Sequence, residues 1–139
     1  MRLVIDASVA VKWILNERPE EAYIAHAAAL LEAIDSGRAE VYAPPHWTVE
    51  VMSVVARLLP GHIDPALELL GEINPRVLAE TQVLRHASQL ASQLRQHLFD
   101  TLYHAVALEV GATLVTADRA YLDKARHLTG IIHLTEFAA

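Results

Sequence analysis

Short apolar runs alternate with longer stretches of helical period along this chain, which predicts an α/β fold built on a parallel sheet. Leu3-Val4-Ile5 reads as a strand buried on both faces and ending at Asp6. Ser8 can then cap a helix running through Leu15. Pro19-Glu20-Glu21 suits a first helical turn, so a second helix is expected from about Pro19 to Ser36, stopped by Gly37. Glu40-Val41-Tyr42-Ala43 reads as the second strand, closed by Pro44-Pro45, and a helix follows from about His46 to Leu59. Asp64-Pro65 offers an N-cap and an N1 proline for a helix through about Glu72. Arg76-Val77-Leu78 is a weak third strand. Two helices cover roughly Thr81 to Gln96 and Leu98 to Val110, the latter ended by Gly111. Ala112 to Thr116 is a further strand, a helix spans about Arg119 to Leu128 up to Gly130, and Ile131-Ile132 forms a last short strand.

No repeat, low-complexity tract or linker interrupts this pattern, and 139 residues suit one core, so a single domain over 1–139 is expected. Hydrophobic residues make up 53% and charged residues 20%, which is too apolar for a disordered chain. No apolar run approaches the roughly 18 residues that span a bilayer, and Met-Arg-Leu-Val-Ile-Asp is too short for a secretion signal. A cytoplasmic protein without a membrane partner is expected. The absence of cysteine removes disulfides, thiolate nucleophiles and thiolate zinc sites. A net charge of −6, with 17 acidic and 11 basic residues, argues against sequence-independent coating of DNA. It leaves a metal-dependent nuclease open, because two bound divalent cations would bring the total to about −2.

Ligands of open parallel sheets bind beyond the carboxyl ends of the strands. Asp6 ends the first strand, Asp118 lies just past the Thr113–Thr116 segment, Glu50 is early in the helix after the second strand, and Asp100 opens its own helix. One sheet edge can therefore gather four carboxylates. Two unit charges 4 Å apart repel by on the order of 4 kcal/mol at an effective dielectric of about 20, so such a cluster needs protons or cations. Oxygen donors without cysteine favour Mg²⁺ or Mn²⁺, and such ions promote in-line displacement at phosphorus. Each acid also has a purely structural alternative. Asp118 suits a helix N-cap, Asp100 complements a helix dipole, and Glu50 can sit on a solvent face. Asp6, ending a buried strand before the small Ala7-Ser8, has the weakest alternative.

At these residues the sequence resembles PIN-domain proteins, specifically the VapC-type ribonuclease toxins of toxin–antitoxin pairs. The resemblance is carried by four segments in order: Val4-Ile5-Asp6-Ala7-Ser8-Val9-Ala10-Val11-Lys12-Trp13; Pro44-Pro45 with Glu50-Val51 and Val54-Val55; Phe99-Asp100-Thr101-Leu102-Tyr103-His104-Ala105-Val106-Ala107; and Leu114-Val115-Thr116-Ala117-Asp118-Arg119-Ala120-Tyr121-Leu122. It implies a three-layer α/β/α sandwich around a mostly parallel sheet of four to five short strands. It implies Asp6, Glu50, Asp100 and Asp118 as catalytic, metal-binding acids, with Ser8 and Thr116 supporting them. It further implies Mg²⁺ or Mn²⁺ dependence, cleavage of RNA such as transfer RNA with inhibition of translation, a homodimer, and a VapB-like antitoxin packing over the site.

Lys12, Arg119 and His104 are candidate substrate contacts, each with an ordinary alternative: a solvated helix residue, an exposed arginine after a cap, and a core histidine four residues beyond Asp100. Trp13, Ile14, Tyr23, Trp47 and Val51 can line an apolar groove or belong to the core or a dimer interface. The eight histidines show no HExxH spacing. A haloacid-dehalogenase-like phosphatase would need a second acid where Ser8 stands, and a receiver domain would need paired acids at the first strand end and a strand-end lysine. The competing reading of a different class is a non-catalytic PIN-like module that binds RNA or an antitoxin.

Overall fold

The computed structural model describes residues 1–138. Five strands form one sheet in the order β3-β2-β1-β4-β5, with every neighbouring pair parallel. They are β1 (Arg2–Ile5), β2 (Glu40–Ala43), β3 (Arg76–Val77), β4 (Thr113–Thr116) and β5 (Ile131–His133). Parallel neighbours require crossovers, and seven helices supply them: α1 (Ala7–Ile14), α2 (Ile24–Asp35), α3 (Trp47–Leu58), α4 (Ile63–Ile73), α5 (Thr81–Leu94), α6 (Leu98–Val110) and α7 (Arg119–Ala125). The result is an α/β/α sandwich, with α5 lying along α6, α6 crossing β1, β2 and β4, and α1 packed against α2 and α3. Among the described residues no helix is long and apolar enough to cross a membrane.

Leu3, Val4 and Ile5 are buried, as are Leu114 and Val115 beside them, so the two central strands are enclosed on both faces. The chain reverses its direction of travel across the sheet between β1 and β4. Their carboxyl ends meet there, and the Asp6 N–H extends the ladder by donating to Val115 O at 3.0 Å. α6 is buried without interruption from Thr101 to Ala107, so it is enclosed on every side over that stretch. Gly111 ends it with a left-handed φ of 66°.

Three local expectations are corrected. Asp6, not Ser8, is the N-cap residue of α1; the Ser8 hydroxyl instead donates to Asp6 Oδ2 and accepts from the Ala117 N–H. Asp64 lies inside the first turn of α4 rather than capping it, because a 3₁₀ turn at Pro60–His62 leads straight into that helix. The second helix starts at Ile24 rather than near Pro19. Glu21 is turned to pair with Lys12 at 2.6 Å, and Tyr23 adopts a left-handed φ of 61°, which no helix can propagate through.

Candidate active site

The carboxyl ends of β1 and β4 open into a cavity of about 230 Å³, and its wall contains Asp6, Glu50, Asp100 and Asp118 together. The remaining wall is Ala7, Ser8, Val11, Ser53 and Val54, so no lysine or arginine offsets the four carboxylates from within it. The residues are far apart in sequence, and each is delivered by a separate chain reversal: the end of β1, the first turn of α3, the first turn of α6, and the β4–α7 junction.

Each carboxylate is held through one oxygen. Asp6 Oδ2 accepts from the Ser8 hydroxyl at 2.9 Å and from the Thr116 hydroxyl at 2.6 Å. Asp100 Oδ2 accepts from Gln96 Nε2 at 2.7 Å. Asp118 Oδ1 accepts from the Tyr121 N–H at 3.1 Å, which makes it the N-cap of α7 while it also lines the cavity. The structural and functional alternatives for Asp118 are therefore compatible. Glu50 Oε2 accepts a hydrogen bond from the Tyr103 hydroxyl. The hydroxyl of Thr116 has a second task, accepting from the Asp118 N–H at 3.0 Å, and so links two of the acids.

The electrostatics follow from this crowding. Burial, with smaller contributions from the charges of Glu50 and Asp100, pushes Asp6 from 3.8 up to about 6, against the lowering effect of the Thr116 and Ser8 hydrogen bonds. Burial and then the Glu50 hydrogen bond push the Tyr103 phenol far above its ordinary value, so it remains a donor. Tyr121 is likewise raised by burial and by Asp100 and Asp6.

An all-oxygen donor set with a spare oxygen on each carboxylate suits a hard divalent cation in kind. Among the described residues no three acidic or histidine side chains converge into a finished coordination shell, so the donors are arrayed around the cavity wall rather than at a point.

The other candidate residues lie elsewhere. His104 is fully enclosed, with Nδ1 3.0 Å from Tyr121 Oη and Nε2 2.8 Å from Thr129 O, and burial lowers its pKa. It is a core residue outside the cavity wall. Lys12 is withdrawn into its pair with Glu21, and its Nζ stands 5.8 Å from the Tyr23 ring centre, outside the cavity wall. Arg119 is exposed, with a guanidinium nitrogen 3.5 Å from Tyr23 Oη, and it too lies outside the wall. Trp47 and Val51 are core, and Trp13 is buried with its indole N–H donating to Ala27 O. Ile14 borders a separate groove beside α4, and Tyr23 is partly exposed.

Three further polar groups serve the site without having been singled out from the sequence. Gln96 precedes Asp100 by four residues, and Tyr103 follows it by three on the same helical face, a spacing that offered a signal. His46 likewise precedes Glu50 by four residues; its Nε2 lies 2.8 Å from Phe99 O and 3.6 Å from Glu50 Oε2.

Solved structures share this architecture. A toxin–antitoxin complex from Klebsiella pneumoniae superposes with a TM-score of 0.71 at 13% identity, covering 97% of this chain and 99% of that one. VapBC2 from Rickettsia felis, bound to a DNA fragment from its promoter, gives 0.67 at 14% identity, covering 96% and 97%. PAE2754 from Pyrobaculum aerophilum gives 0.65 at 20% identity, covering 97% and 90%. These likenesses show a shared fold. No curated protein sequence matches the chain. The sequence does match the PIN domain family over residues 3–127, nearly its whole length, and the chain belongs to that family.

Proposed function

We propose that this chain is a Mg²⁺- or Mn²⁺-dependent endoribonuclease, acting as the toxin of a toxin–antitoxin pair. The observation that carries the reading is one cavity whose wall brings together Asp6, Glu50, Asp100 and Asp118 with no lysine or arginine among its lining residues. Those four residues would hold the metal. A bound divalent ion supplies Lewis acidity at phosphorus and charge neutralisation for the leaving oxygen. Hydrolysis adds water across one P–O bond, placing hydroxyl on phosphorus and a proton on the departing oxygen. The protein's own part is placement. Ser8 and Thr116 hold Asp6, Gln96 holds Asp100, Tyr103 holds Glu50, and the α7 backbone holds Asp118, so each acid has one oxygen engaged and a second left to bind. Below about pH 6 Asp6 retains its proton and the donor set is one charge short.

RNA as substrate, a VapB-like antitoxin and a homodimer rest on the family resemblance. The antitoxin is further supported by a similarly folded protein being part of a toxin–antitoxin complex. The test is incubation of the full chain with structured RNAs, transfer RNA included, in Mn²⁺ with and without EDTA. Cleavage that EDTA stops and Asp6→Asn abolishes is expected. Cleavage indifferent to both refutes the metal site, and metal-independent RNA binding with no cleavage across the panel favours the non-catalytic module.

A further inference from the structure

We infer that Tyr103 is a positioning residue that selects which oxygen of Glu50 faces the cavity, and that ion binding at the site depends on its hydroxyl. Glu50 differs from the other acids in how loosely its own element holds it. It stands in the first turn of α3 with its side chain about a third accessible. Among the described residues no backbone N–H grips its carboxylate, and the α3 neighbour that approaches it is the N-cap residue His46, 3.6 Å away with its Nε2 already engaged by Phe99 O. Fixing a glutamate side chain costs on the order of 1.5 kcal/mol of rotamer entropy, so an unrestrained Glu50 would spend most of its time in solvent. Tyr103 reaches it from across the structure. The phenol sits on α6, is 1% exposed, and extends 53 positions back in sequence to meet Oε2. Its ring is held by the enclosed helix and by the His46 ring, whose centre lies 4.9 Å away. His46 Nε2, 3.6 Å from the same Oε2, closes that side of the carboxylate. Among the described residues Oε1 accepts no hydrogen bond, so with Oε2 engaged it is the oxygen free to serve the cavity that Glu50 lines. Because Tyr103 follows Asp100 by three residues, one rigid helix sets the position of two acids, its own and that of α3.

The inference rests on the metal-dependent reading of the site, and the experiment separates the two. Mn²⁺ binding to the full chain is measured by electron paramagnetic resonance of the free ion, for wild type, Tyr103→Phe, Glu50→Gln, their double variant and Asp6→Asn. Tyr103→Phe keeps the ring and removes only the hydroxyl. About a tenfold loss of Mn²⁺ affinity is expected, the scale on which partners of ligating groups act. The double variant is expected to bind no more weakly than Glu50→Gln alone, since the hydroxyl works through that carboxylate. Excess Mn²⁺ is expected to recover cleavage by Tyr103→Phe. Should Tyr103→Phe fail to fold, Glu50→Asp retracts the carboxylate from an intact Tyr103 and is expected to show a similar loss. Unchanged affinity in Tyr103→Phe, losses that multiply in the double variant, or wild-type affinity in Glu50→Asp overturns the inference. If Asp6→Asn abolishes binding while Tyr103→Phe does not weaken it, only this inference falls. If the wild type binds no Mn²⁺, both fall.

Discussion

Replacing Asp6 by asparagine tests whether the site is bought at the expense of stability. Asp6 is drawn up from 3.8 to about 6 mainly by burial, with Glu50 and Asp100 adding repulsion. A carboxyl whose folded pKa is raised contributes stability that is fully present below 3.8 and is lost as pH rises through 6. The gap of about two units is worth about 3 kcal/mol at roughly 1.4 kcal/mol per unit, and the metal-free chain lacks it at neutral pH. Asparagine removes the charge but keeps an oxygen that can accept from the Ser8 and Thr116 hydroxyls. For a chain of this length each kcal/mol moves the melting temperature by about 3 °C, so Asp6→Asn is expected to melt up to about 9 °C higher at pH 7.5 in EDTA. The advantage should shrink as pH falls and vanish near pH 4. Saturating Mg²⁺ should raise the melting temperature of the wild type and leave the variant unmoved. Calorimetry or circular dichroism melts at several pH values check this. A variant that melts below wild type at pH 7.5, or an advantage that grows toward low pH, refutes the reasoning.

Thr116→Val removes the donor to Asp6 and strands the Asp118 N–H, at a cost of about 1–3 kcal/mol, and moves the Asp6 pKa further up; urea unfolding and carboxyl ¹³C NMR read the two effects. Lys12→Met leaves Glu21 without its partner in a mostly buried place and should destabilise by about 2 kcal/mol, whereas Lys12→Met with Glu21→Leu should recover most of that, as read by urea midpoints. His104 has a folded pKa below its ordinary value, so the stability of its neutral form is complete above pH 6.5 and is lost as pH falls below it. His104→Phe should therefore be less stable overall, because Thr129 O and Tyr121 Oη lose their partner, but should lose less between pH 7.5 and 5 than wild type; parallel urea-midpoint slopes count against this.

Much of the scaffold was legible because it depends on local pattern. β2 is Glu40–Ala43 and α6 is Leu98–Val110, the bounds the sequence predicts, since Pro44-Pro45 and Gly111 punctuate them unambiguously. The start of α2 was not legible. Pro19-Glu20-Glu21 carries every local mark of a first turn, but Glu21 is spent on a lysine nine positions earlier and Tyr23 breaks the helical path. The same divide runs through the site. Four acids at strand ends and first helical turns can be picked out by position alone, and all four line one cavity. The groups that orient them are only partly legible: the family resemblance points to Ser8 and Thr116, which do donate to Asp6, whereas Gln96, Tyr103 and His46 are not singled out. Whether Tyr103 reaches Glu50, or His46 reaches Phe99 O, depends on how α3 lies against α6, and no local pattern encodes that. For Lys12 and Arg119 the signal was proximity in sequence to an acid, which says nothing about the direction a long side chain takes.

The hydrogen bond from Thr116 to Asp6 spans 110 positions, and β4 stands between β1 and β5 in the sheet. During synthesis from the N-terminus, Asp6, Glu50 and Asp100 all emerge before β4, the strand whose Thr116 seats Asp6. A nascent polypeptide still attached to its ribosome thus carries most of the acids and no assembled site. The order of synthesis acts as a delay built into the topology, because the cavity cannot close before β4 is laid in beside β1.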